Sequence, residues 1–69
     1  MNTPRTRGDR ILAFLRDFYA EHKRPPLNAE VSKGLGMHPS AVTVTVHSLA
    51  AQGLIKYEPR RPIQLIDAA

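Results

Sequence analysis

Pro39-Ser40-Ala41-Val42-Thr43-Val44-Thr45-Val46-His47-Ser48-Leu49-Ala50-Ala51-Gln52 is the stretch on which the fold turns, because its local signals conflict. Val42-Thr43-Val44-Thr45-Val46 alternates strictly and is rich in β-branched residues, which alone reads as a strand. Its surroundings read as a helix. His38-Pro39 matches an N-cap followed by proline at the first helical position, and Gly53 supplies a C-terminal stop. Between them Val42, Val46, Leu49 and Ala50 fall on one helical face at i, i+4, i+7 and i+8. A strand would need partners for its valines and would leave Ser48 to Gln52 as an unexplained loop. A helix over about Pro39 to Gln52 follows.

Upstream, a short helix is expected from about Asn28 to Leu35, with Asn28 as N-cap, Glu30 in the first turn and Gly36 in the left-handed C-terminal conformation. Val31 and Leu35 are its buried pair, and Gly34 weakens its last turn. Before it, a longer helix runs from about Asp9 to His22 with a broad apolar stripe of Ile11, Leu12, Phe14, Leu15, Phe18 and Tyr19. Lys23-Arg24-Pro25-Pro26 ends that helix, since two prolines cannot continue it. Residues 1–8 are polar and read as a flexible basic arm.

Downstream, Leu54-Ile55-Lys56-Tyr57 and Ile63-Gln64-Leu65-Ile66 read as two strands around the turn Glu58-Pro59-Arg60-Arg61-Pro62. Pro62 lacks a donor and belongs at a ladder end or an outward edge. Residues 67–69 read as a tail. The expected fold is mostly α with a small β-hairpin: three helices plus a two-stranded wing, a winged helix-turn-helix over residues 9–66.

A chain of 69 residues makes one small domain, which buries only about 60% of the surface its unfolded form exposes. The absence of cysteine removes disulfides and Cys-based metal sites. Ten Lys/Arg against six Asp/Glu give a formal charge of +4, a balance that suits a polyanion. No signal peptide is visible, and no apolar run approaches the roughly 20 residues of a membrane span. The expectation is a cytoplasmic, nucleoid-associated protein without a membrane partner.

Other chemistries lack their residues. His22, His38 and His47 have no i,i+3 or i,i+4 metal spacing. There is no Gly-x-Ser-x-Gly elbow and no glycine-rich phosphate loop. Phe14, Phe18 and Tyr19 read as core rather than as a stacking platform. Neither enzyme activity, nor a cofactor, a metal or a small-molecule ligand is expected.

Two short helices joined by a tight glycine turn, followed by a hairpin, outline a helix-turn-helix whose second helix meets a DNA groove. With Val42, Val46 and Leu49 inward, Ser40, Thr43, Val44, His47 and Ala51 face outward. Ser40 and Thr43 can bond base edges or phosphates, Val44 can meet a thymine methyl, and His47 can reach a phosphate or a base acceptor. Ala41 lies beside them. His38 can hold a phosphate at the helix start or simply cap it. Arg60 and Arg61 at the wing tip suit phosphate or minor-groove contact. Arg5 and Arg7 in the arm can follow the DNA backbone or the minor groove, and Lys33 and Lys56 are further candidates for phosphate contact. The bland alternatives are a stray surface valine and solvated cations.

The chain resembles the N-terminal DNA-binding domain of LexA-type repressors. Arg16-Asp17, Pro25-Pro26, Ala29-Glu30-Val31, Leu35-Gly36, Pro39-Ser40-Ala41, Leu49-Ala50 and Gly53-Leu54-Ile55 carry the likeness, over roughly Asp9 to Ile66. It departs from that pattern before Ala29, where Leu27 or Asn28 stands in place of Thr or Ser, and in Thr43 and Val44, which replace acidic residues. A LexA operator sequence therefore does not transfer. No self-cleavage domain follows, which suggests a piece of a longer repressor or a small stand-alone regulator.

The function expected is a sequence-specific regulator of transcription, a repressor. Its partner would be double-stranded DNA at a palindromic site, bound as a homodimer. The rival expectation is a winged-helix protein-interaction module, such as a phage factor docking on host transcription machinery.

Overall fold

A computed structural model of the chain describes residues 6–58 and 60–66. Three helices, α1 (Arg7–His22), α2 (Asn28–Leu35) and α3 (Pro39–Ala51), precede a hairpin of β1 (Ile55–Lys56) and β2 (Gln64–Leu65). The strands are antiparallel, with Ile55 opposite Leu65 and Lys56 opposite Gln64. This is the winged helix-turn-helix arrangement.

Residues 42–46 are helical. Val42, Val46 and Leu49 sink into one core with Ile11 and Leu15 of α1, Val31 of α2, and Ile55 and Ile63 of the wing. Burial of that face overrides the β-propensity of the alternating run. The threonines fit because their hydroxyls donate to carbonyls one turn back, Thr43 to Pro39 at 3.1 Å and Thr45 to Ala41 at 2.8 Å. His38 is the N-cap, its Nδ1 accepting from the Ser40 N–H at 3.1 Å, with Pro39 at the first position.

Several boundaries differ from the sequence reading. Arg7 and Gly8, expected in the arm, form the first turn of α1, because Thr6 caps it by accepting the Asp9 N–H at 3.1 Å. The rest of the expected arm, Arg5 included, and the tail lie outside the described residues. Asn28 is not the cap of α2. Leu27 occupies that place, and the Glu30 carboxylate reaches back to its N–H at 2.9 Å. Tyr19, expected in the apolar stripe, is exposed on α1. The paired strands are shorter than expected, although the Ile66 N–H still donates to the Leu54 carbonyl at 3.0 Å.

The junction between α1 and α2 is tightly made. Lys23 takes the left-handed conformation at φ 60° and its N–H closes on the Tyr19 carbonyl. Arg24 then forks onto Glu30 with N–O distances of 3.0 and 2.8 Å while lying over the Phe18 ring. That guanidinium and the Leu27 N–H hold the Glu30 carboxyl down at about 2. Gly34 lets the Phe14 ring lie against α2: a Cβ there would fall 2.3 Å from Phe14 Cε2. From the same junction, the Pro26 carbonyl accepts the Ile63 N–H at 2.8 Å and ties the wing to the helices.

Candidate nucleic-acid interface

Anchoring α3 by Val42, Val46 and Leu49 leaves its opposite face to solvent. Ser40, Val44, His47 and Ser48 are exposed there, with Ala41 and Thr43 half-buried at its edges. Val44 is 70% exposed, in a helix whose neighbouring valines are fully buried. Pro39–Ala51 contains no Lys or Arg. The surface is therefore neutral, small-featured and studded with one apolar residue.

Donor and acceptor accounting sharpens the candidates. A threonine hydroxyl has one proton. That of Thr43 goes to the Pro39 carbonyl, and its oxygen accepts from Asn28 Nδ2 at 3.5 Å. Thr43 thus has no proton to offer a base in this arrangement, contrary to the expectation that it could donate; its methyl and one lone pair remain. Ser40 makes no side-chain bond among the described residues and keeps both functions. His38 commits Nδ1 to its cap and makes no hydrogen bond through Nε2 among the described residues, so capping and phosphate contact are compatible. His47 meets Tyr57 edge-on, ring centroids 5.1 Å apart at 78°.

Charge is supplied from the flanks. Lys56 and Arg61 both lean on the Glu58 carboxylate, each at 3.7 Å, and all three side chains are half or more exposed. Such pairs are weak and screened, and a polyanion can compete for both cations. Arg60, at φ 64° in the turn, has no ion pair among the described residues. Lys33 is exposed in the last turn of α2. Arg7 belongs elsewhere: it lines a cleft with Ser48, Leu49 and Gln52 at the far end of α3 from His38 and Ser40. The sequence reading missed Asn28 and Tyr57, which meet at 3.3 Å beside Thr43. An asparagine at a helix start reads as a cap, so nothing local marked it as a bridge.

A family model described as "Iron dependent repressor, N-terminal DNA binding domain" matches residues 10–63. No curated protein matches the chain. The match runs from Arg10 within α1 through α2, α3 and β1 and ends one residue short of β2, and it names a repressor family other than the LexA type. Among the described residues, no three His, Cys, Asp or Glu side chains come together as a metal site would require. No helix among them is long and apolar enough to cross a membrane.

Proposed function

The chain belongs to the family of iron-dependent repressor N-terminal DNA-binding domains, and we propose that it represses transcription by laying α3 in the major groove of a specific duplex site. The observation that carries this reading is the outer face of α3, where Val44 stands 70% exposed with Ser40 and His47 in line. No packing need explains a protruding β-branched residue there, whereas a thymine methyl is a fitting partner. Ser40, Ala41 and the Thr43 methyl would lie beside it, with His38 at a phosphate. The wing, through Arg60, Arg61 and Lys56, would hold the flanking backbone or minor groove, and Lys33 a further phosphate. Arg7 would touch only backbone at the far end of α3.

One such module buries on the order of 600–1,000 Å² on DNA, which rarely suffices for tight specific binding. Two copies on a palindrome are therefore part of the proposal. The role is one of binding, without enzymatic chemistry, and it would be exercised on the chromosome in the cytoplasm. The likeness to LexA-type domains implies the same docking and adds no separate function. Selection of bound fragments from a genomic library tests this: enrichment of one motif is expected, and recovery of fragments at random would sink it.

The absence of Lys and Arg on α3 favours a second reading, a protein-interaction module. Replacing Arg60→Ala and Arg61→Ala together separates the two. A DNA binder loses affinity for all duplexes, whereas capture of a protein partner that survives nuclease treatment and both substitutions supports the rival.

A further inference from the structure

Asn28 stands at the joint of the three parts through which the chain would meet DNA. Its Nδ2 donates to Thr43 Oγ1 on α3 at 3.5 Å and to the Tyr57 hydroxyl, just past β1, at 3.3 Å. The Tyr57 ring in turn abuts His47 on the outer face of α3. Two residues before Asn28, the Pro26 carbonyl holds the Ile63 N–H beside β2. The short segment 26–28 therefore grips both arms of the wing, and one side chain within it grips α3 as well.

The core contacts of α3 and the wing are apolar: Val42, Val46 and Leu49 against Ile55 and Ile63. Such contacts are non-directional and tolerate a small rotation of the helix or tilt of the hairpin. Hydrogen bonds are directional and do not. The strands pair over only two residues each, so the hairpin alone offers little rigidity. A second observation points the same way. Asn28 Oδ1 is buried without a hydrogen-bond partner among the described residues, which lowers stability relative to an apolar side chain filling the joint. A buried acceptor without a partner calls for a reason other than packing.

We propose that Asn28 and Tyr57 are positioning residues that lock α3 and the wing into one rigid reading surface. Their benefit to binding rests on the DNA reading above; the rigidity is a property of the free chain. The double variant Asn28→Leu with Tyr57→Phe removes both polar partners and leaves Thr43 bonded to Pro39. Three measurements are made on it and on the unaltered chain: thermal unfolding, backbone residual dipolar couplings, and affinity for the selected site against a random duplex.

The variant is expected to melt at or above the original temperature while its wing amides cease to share the alignment frame of α3. Specific affinity should fall roughly tenfold, with random-duplex affinity unchanged. A wing that keeps the frame of α3 would overturn the proposal. So would a loosened wing with specific affinity intact, or a melting temperature that drops with no change in alignment. Tyr57→Phe alone, which keeps the ring against His47, carries the same test if the double variant does not fold. If the unaltered chain binds no duplex, the DNA reading fails separately, and the couplings still decide the brace.

Discussion

Val44 and Gly34 are two residues whose value lies outside their own helix. Val44 is poorly suited to a solvent-exposed helical position, where alanine is favoured by roughly 0.5 kcal/mol. Val44→Ala should therefore leave the fold as stable or slightly more so, while specific DNA affinity falls about fivefold through lost methyl contact. Replacing the facing thymine by uracil should cause a similar loss in the original chain and no further loss in Val44→Ala. Additive losses would mean that the two methyl groups never meet. Gly34 gives the opposite test. Alanine is the better helix former by about 1 kcal/mol, yet its Cβ would lie 2.3 and 2.5 Å from two carbons of the Phe14 ring. Phe14 is half-buried, packed against the core and 5.7 Å from the Phe18 ring, so moving aside would cost it those contacts. Displacing a packed ring costs about 1–3 kcal/mol, so Gly34→Ala should lower the melting temperature by several degrees, roughly 4–8 °C per kcal/mol. A rise would show that the ring swings aside freely.

At the level of elements, the joint between α1 and α2 depends on pH through Glu30. Its carboxyl is held at about 2, against an ordinary 4.5, first by the Arg24 fork and then by the Leu27 N–H. The folded chain thus binds that proton less readily than the unfolded one. The contribution is fully present above 4.5 and disappears as the pH falls toward 2. Arg24→Met should flatten the decline in melting temperature across that window, and NMR titration should move the Glu30 midpoint upward. It should not return fully to 4.5, because the Leu27 N–H remains in place. Both groups are partly exposed, so the difference should shrink in high salt. An unchanged Glu30 midpoint in Arg24→Met would show that the fork is not what holds the carboxyl down.

Across the whole molecule, shape and charge are divided between two surfaces. The outer face of α3 carries no cation, and the flanks carry Lys33, Lys56, Arg60 and Arg61. Affinity and sequence discrimination should then respond to different conditions. Neutralising five or six phosphates gives a slope of log K against log salt near −5. Arg60→Ala with Arg61→Ala should reduce that slope by about 2 while leaving the ranking of sites intact. A slope near zero for the original chain would contradict backbone contact altogether. If two copies bind as proposed, each with one α3 in the groove, the half-sites of the selected motif should lie about 10 base pairs apart or a multiple of it.

What the order of residues by itself determined was the string of elements and the inward face of α3. Caps, prolines and glycines act on their immediate neighbours, and the spacing of Val42, Val46 and Leu49 is a property of one helix. The start of α1 at Arg7 was equally local but went unread, since Thr6 is a modest cap with a glycine in the first turn after it. Only the tertiary structure decided that Asn28 bridges rather than caps, that the Thr43 proton is committed to Pro39, and that Gly34 makes room for Phe14. The bridge and the packed ring depend on which helix faces lie opposite one another. Spacing along a single segment carries no information about what stands across from it.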